Sequence, residues 1–193
     1  MRIIAGEWRG RALIAPLGET IRPTADRVRQ ALFDMLLHAP WAERADVEGA
    51  QVLDAFAGTG ALGLEALSRG AAHAVFIERD RAALATLRAN IAAFHAEDRS
   101  RVVAADALAP PRAASTRALV FLDPPYGQGL VPRALAALAA AGWIVPGALV
   151  VAETGRDEAA PAQFSLAERT HGAARLTVWR WSAGGCRVAN KTG

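Results

Sequence analysis

From Ala50 to Trp181 short apolar runs alternate with helix-patterned segments, and no other property of the sequence constrains the fold so tightly. Residues 51–55, 74–78, 101–104, 118–123 and 148–153 read as strands, each a brief apolar run bounded by turn formers. Between them, residues 61–69 (closed by Gly70), 80–94 and 130–141 carry apolar side chains at helical spacing. Residues 164–169 and 175–181 read as a closing strand pair around Gly172. Such alternation predicts an α/β fold, a mostly parallel sheet with helices on both faces. Residues 134–152 lack any charge, but Gly142, Pro146 and Gly147 break the run. A helix, a turn and a buried strand are expected there, and no membrane span.

The first forty residues follow another pattern. Residues 2–5 and 11–15 flank Gly6-Glu7-Trp8-Arg9-Gly10, which predicts a β-hairpin. Arg22-Pro23-Thr24 opens a helix with Thr24 as the expected N-cap and Asp26 in the first turn. Val28, Leu32, Met35 and Leu36 make its apolar face, and Pro40 ends it. The expected organisation is a hairpin over 1–20, a connecting helix over 21–40, a catalytic domain over 41–181 and an aperiodic tail over 182–193.

Charge separates these regions. The chain carries +3 overall, and residues 1–30 hold six arginines against three acidic residues, so the remainder is neutral. Arg9, Arg11, Arg22, Arg27 and Arg29 are therefore the candidates for contacting phosphate groups. A solvated, charge-rich surface is the competing reading. The only cysteine, Cys186, excludes a disulfide framework and points to a reducing compartment. With no secretory leader pattern, a cytoplasmic location is expected. The four histidines lie far apart in sequence, so no metal is expected.

Two motifs carry chemistry. Asp54-Ala55-Phe56-Ala57-Gly58-Thr59-Gly60 sits where a strand turns into a helix, and Glu78 follows Gly58 by twenty residues. Glycines there let backbone approach a ligand, and an acidic residue at that distance suits ribose hydroxyls. Asp54, Phe56, Gly58, Gly60 and Glu78 thus bind a nucleoside-like cofactor, with NAD and S-adenosylmethionine both open. The second motif is Asp123-Pro124-Pro125-Tyr126, closing an apolar strand at the carboxyl edge of the sheet. The prolines stiffen the backbone and remove two N–H donors. That leaves the Asp123 carboxylate and the Pro124 carbonyl as acceptors beside an aromatic ring. Such a set suits an exocyclic amine on a planar base, whose hydrogens the acceptors hold while its lone pair is aimed at a methyl donor.

Asp54–Gly60 and Asp123–Tyr126 resemble motifs I and IV of the class I amino-methyltransferases. Three further stretches narrow the likeness: residues 2–11, Arg22-Pro23-Thr24-Ala25-Asp26-Arg27-Val28-Arg29, and Gly60-Ala61-Leu62-Gly63-Leu64-Glu65-Ala66-Leu67-Ser68-Arg69. Together they resemble the RsmD family, the 16S rRNA (guanine(966)-N(2))-methyltransferases, over residues 2–181. The resemblance implies a Rossmann-like class I methyltransferase fold of seven strands, parallel except for one near the end. It implies S-adenosylmethionine as cofactor, its methionine end near Asp54, Gly58 and Gly60, its ribose on Glu78, and its adenine amino group on Asp106. Asp123, Pro124, Pro125 and Tyr126 would hold a flipped guanine. The family admits phenylalanine at the tyrosine position, so the ring rather than the hydroxyl is expected to matter. The implied partner is 16S ribosomal RNA, in the small subunit or its assembly intermediate, and a monomer is expected.

The nearest rival is a DNA adenine-N6 or cytosine-N4 amino-methyltransferase. About 20 residues before the first helix and 12 after the last strand leave no room for a target-recognition domain. A protein-glutamine methyltransferase would read Asn-Pro-Pro-Tyr. An NAD-dependent oxidoreductase would leave Asp-Pro-Pro-Tyr unexplained, and a non-catalytic RNA-binding module would not need a cofactor site.

Overall fold

The computed structural model describes residues 1–15, 23–158 and 165–182. Helix α1 (Pro23–His38) precedes the alternating region of β1 (Gln51–Ala55), α2 (Ala61–Ser68), β2 (His73–Glu78), α3 (Arg81–Ala93) and β3 (Ser100–Ala104). There follow β4 (Arg117–Leu122), α4 (Leu130–Ala140), β5 (Ile144–Gly155), β6 (Ala167–His171) and β7 (Ala174–Arg180). The strands form one sheet in the order β3-β2-β1-β4-β5-β7-β6. The first five are mutually parallel, and β7 runs antiparallel to both β5 and β6. This is the expected class I methyltransferase sheet. Its order reverses between β1 and β4, which opens a crevice at their carboxyl ends.

Alternation along each strand builds two cores. Val52, Phe76, Leu119 and Phe121 face α1, α2 and α3, while Leu53, Val75, Val120 and Leu122 face α4. The uncharged run over 134–152 resolves into most of α4, a turn and β5. No helix among the described residues is long and apolar enough to cross a membrane. Strand β5 begins earlier than expected and takes in Pro146 and Gly147, and its register against β4 shifts between Arg117 and Leu119. A bulge is how a strand accommodates such residues.

The N-terminal segment forms the expected hairpin in a minimal version. Its arms meet in one antiparallel bridge, Arg2 with Ala12, with Ile3 N–H donating to the Arg11 carbonyl at 3.0 Å and Leu13 N–H to the Met1 carbonyl at 3.1 Å. Other backbone donors of the segment bond to the sheet domain. Ile4 and Ala5 N–H donate to the Glu65 carboxylate at 2.8 and 3.1 Å, Trp8 N–H to Ser68 Oγ at 2.9 Å, and Ile14 N–H to Asn90 Oδ1 at 2.7 Å. Ile3, Trp8 and Leu13 are buried in the same core as α1 to α3, with the Trp8 ring 5.2 Å from Phe94. Gly6 makes the close approach possible. Its φ is +82°, and a Cβ there would lie 1.8 Å from the Ser68 carbonyl oxygen.

In α1 the buried face is Arg29, Leu32, Phe33 and Leu36, rotated from the expected one, with Val28 and Met35 only half-buried. The helix already starts at Pro23, so Thr24 lies inside its first turn and not at the cap. Proline suits that first position, where its missing N–H costs nothing. The buried face holds a cation because anions meet it. Arg29 pairs with Asp26 at 2.9 Å and with the fully buried Glu65 at 3.5 Å, and Glu65 also pairs with Arg69 at 2.8 Å.

Candidate active site

A cavity of about 680 Å³ occupies the crevice between β1 and β4. Asp54, Phe56, Gly58 and Glu78 line it on one side and Leu122, Asp123 and Glu153 on the other, so the two sequence motifs meet across one space. Val28, Leu32 and Leu176 add apolar walls.

The β1 side is braced by hydrogen bonds. Phe56 adopts φ +66°, rare for a side chain of its size, and the turn is pinned because Phe56 and Ala57 N–H both donate to the Ile77 carbonyl at 3.1 Å. Gly58 N–H donates to Glu78 Oε2 at 2.9 Å, and Arg79 and Asp80 N–H donate to Glu78 Oε1 at 2.7 and 2.8 Å. The twenty-residue spacing thus closes the turn as well as presenting an acidic group. A Cβ on Gly58 would meet nothing within 4 Å, whereas one on Gly60 would strike Leu87 Cδ1 at 2.4 Å. Gly58 leaves its space to the cavity, and Gly60, which does not line it, serves packing. Asp54 is buried and accepts from Gly63 N–H at 2.9 Å. Desolvation outweighs that bond and, with the charges of Asp123 and Glu78, pushes its pKa up to about 8.

Asp106 does not line the cavity. One of its oxygens accepts from Leu108 N–H at 2.9 Å and the other pairs with Arg79 at 2.7 Å. These partners hold its pKa below the ordinary carboxylate range. An adenine amino group would have to share acceptors already in use.

The β4 side is differently built. The Asp123 residue keeps solvent access through the cavity mouth. Protein still crowds its carboxyl enough that desolvation, together with the charge of Glu153, pushes its pKa up to about 7. Pro124 is buried, and Pro125 and Tyr126 are exposed beside it. The Tyr126 hydroxyl donates to Glu153 Oε1, and burial with that bond raises its pKa above the ordinary phenol range. The hydroxyl therefore has a partner, which the resemblance did not lead one to expect. Glu158 steadies the loop by accepting from Gly127 N–H at 2.6 Å and Gly155 N–H at 3.0 Å. Glu153 belongs to no motif. Its only mark in the sequence is the one Asp123 shares, an acidic residue closing an apolar run.

Of the arginine candidates, Arg9 and Arg27 are exposed. Arg11 is exposed too, but its guanidinium lies 4.7 Å from the Phe94 ring centre and donates to the Ala93 carbonyl. Arg29 departs from its expected place: it is buried, ion-paired and hydrogen-bonded to the Arg2 carbonyl, so its charge is balanced inside the fold and not offered on an outer surface. Arg22, residues 183–193 and Phe164 lie outside the described residues.

The lining bears on which cofactor fits. Asp54, Glu78, Asp80, Asp123 and Glu153 face Arg29 and His171, and Arg29 is already paired. Even with Asp54 protonated near neutral pH, a dinucleotide would bring a pyrophosphate among the remaining carboxylates, whereas S-adenosylmethionine brings a sulfonium and an ammonium, which such a lining favours. Among the described residues no group of three or more His, Cys, Asp or Glu is arranged to hold a metal ion.

Comparison with known proteins agrees. The family model described as Conserved hypothetical protein 95 matches residues 1–180. Ribosomal RNA small subunit methyltransferase D of Escherichia coli strain K12 is 42% identical over 170 residues, covering 86% of this chain and 82% of that protein. The Haemophilus influenzae protein of the same name is 37% identical over 162 residues, covering 82% and 80%. The solved structure of Escherichia coli yhhF matches with TM-score 0.78 at 40% identity, covering 95% of this chain and 98% of that one. A Thermus thermophilus 16S rRNA N2 G1207 methyltransferase, solved with AdoMet and guanosine, shares the fold at TM-score 0.61 and 18% identity, covering 85% and 44%.

Proposed function

Because the chain belongs to the RsmD family of ribosomal RNA methyltransferases, we propose that it methylates the exocyclic N2 of a guanine in 16S rRNA, within the small subunit or its assembly intermediate. The observation that carries this reading is the facing of Asp123 and the Gly58–Glu78 turn across one cavity. Asp54, Phe56, Gly58 and Glu78 hold S-adenosylmethionine, which supplies a methyl group on a cationic sulfur. The flipped guanine enters at the β4 side and rests on the Tyr126 ring. Asp123 and the Pro124 carbonyl accept the two N2 hydrogens, so the nitrogen lone pair points across the cavity. As positive charge grows on nitrogen, the Asp123 carboxylate stabilises it and then takes the proton shed. A pKa of about 7 matches that task near neutral pH. Arg9 and Arg27 contact RNA phosphates, and the protein works as a monomer without a metal.

Mass spectrometry of nucleoside-resolved 16S rRNA, from cells with and without the protein, tests the proposal. One N2-methylguanine should vanish with the protein. Loss of a methylated adenine or cytosine instead, in RNA or DNA, would overturn it.

A further inference from the structure

The geometry points to Glu153 as the residue that selects guanine over adenine and cytosine, by accepting the ring N1–H of the flipped base. The inference rests on the guanine-N2 reading above and names the group that makes the site specific.

Five carboxylates line the cavity, and three are already committed to backbone donors. Asp54 accepts from Gly63, Glu78 from Gly58, Arg79 and Asp80, and Asp80 from Ala83. Asp123 and Glu153 alone among the five accept no backbone N–H among the described residues. They are also neighbours by construction. In the parallel pairing of β4 and β5, Leu122 lies opposite Ala152, and Asp123 and Glu153 are the next residues along. Adjacent strands run about 4.8 Å apart, so the pair forms one acidic edge. Both line the same cavity. The Tyr126 hydroxyl donates to Glu153 Oε1, leaving Oε2 without a donor from the described residues.

Guanine completes that edge. Beside its amine, with two hydrogens, stands the N1–H, a third donor pointing nearly the same way. Asp123 and the Pro124 carbonyl take two, and the half-buried Glu153 takes the third. The tyrosine that stacks on the base also holds the carboxylate that reads it. Adenine presents a lone pair at N1 next to its amine, and cytosine presents one at N3. Against Glu153 either would set lone pair against carboxylate and leave both unsatisfied, which is discrimination by repulsion as well as by attraction.

The test uses the RNA substrate with its mapped target guanosine replaced by 2-aminopurine riboside. That base keeps the exocyclic amine and carries a lone pair at N1. Wild type should prefer guanine by about ten- to a hundredfold in kcat/KM, the range of a lost base-edge contact. In Glu153→Gln the amide can turn its N–H to that lone pair, so the preference should fall several-fold, a ratio that any change in cofactor affinity common to both substrates leaves unmoved. A wild-type preference near unity overturns the inference without recourse to any variant. An unchanged preference in Glu153→Gln, whatever its absolute rate, overturns it too and leaves Glu153 a support for Tyr126. Methylation of adenine by wild type would defeat the guanine reading itself, an outcome distinct from either ratio.

Discussion

The two sides of the cavity are made in opposite ways. At the carboxyl ends of β1 and β2, backbone N–H groups tie down the carboxylates: Glu78 takes three and Asp54 one. At the ends of β4 and β5, Asp123 and Glu153 face the cavity, and the Tyr126 hydroxyl is the one donor to either among the described residues. The first side is finished before any ligand arrives. The second has acceptors to spare, which on the proposed reading a base with several N–H groups would meet. A cofactor site has to hold the same molecule each cycle, so a rigid frame serves it. The target site gains rate only from contacts that strengthen as charge grows on nitrogen, so open acceptors serve it better.

If that contrast is right, substitutions on the two sides should fail differently. Asp123→Ala should lower the methyl-transfer rate about a hundredfold or more, the usual scale for deleting a preorganised charge-stabilising group. Calorimetry should find its S-adenosylmethionine affinity nearly intact, and a rate within a few-fold of wild type would erase the distinction. Glu78→Ala should do the reverse and weaken cofactor binding by about 1.5–3 kcal/mol, the worth of a hydrogen bond to a charged group. Because Gly58 loses its anchor as well, the upper part of that range is expected. Unchanged affinity would remove the cofactor from that side.

Tyr126 sharpens the comparison within the target side. Tyr126→Ala should lose about 1–3 kcal/mol of transition-state stabilisation through lost stacking, read from kcat/KM. Tyr126→Phe keeps the ring and frees Glu153, so its loss should be smaller but measurable. Equal losses would mean that the ring does not stack.

Asp54 gives a test in pH. Its pKa is raised in the folded protein, to about 8, so the native state binds the extra proton and stability is lost as pH rises from the ordinary carboxylate range through 8. Asp54→Asn, which can still accept from Gly63, should raise Tm at pH 8 and lose that advantage progressively as pH falls to about 4, by about 2–4 °C for each kcal/mol relieved. A gain that is flat across this range would assign the effect to something other than titration.

The smallest effect expected is outside the cavity. Arg9→Ala and Arg27→Ala should each flatten the slope of log RNA affinity against log salt by about 0.7–0.9. Parallel lines for wild type and variant would make these arginines mere solubilising charge.

Much of this was legible in the chain. Apolar runs marked the five parallel strands, because strands covered by helices have little polar side to confuse the reading. The closing pair was less legible: β6 spans Ala167–His171, later than the expected 164–169, and its exposed Glu168, Arg169, Thr170 and His171 give no apolar signal. The spacing of Gly58 and Glu78 and the Asp-Pro-Pro-Tyr turn located the two walls. What stayed hidden depends on register or on partners distant in sequence. Glu153 reaches the site only because β5 lies beside β4, thirty positions on from Asp123. Arg29 looked like surface because the buried anion it meets beside Asp26, Glu65, stands on another helix. The hairpin looked independent because its donors find Glu65, Ser68 and Asn90 only after α2 and α3 are in place.

That last arrangement bears on the order in which the molecule is made. The bonds from Ile4, Trp8 and Ile14 reach 61, 60 and 76 residues along the chain. Synthesis runs at about 5–20 residues per second, and contacts so far apart cannot form until both ends have emerged. Residues 3–14 are therefore made before the groups that hold them and settle only after those groups emerge. Until α3 has left the ribosome, Trp8 lacks the Phe94 ring it packs on and Ile14 the Asn90 acceptor, so the growing chain carries an unfinished apolar surface along this segment.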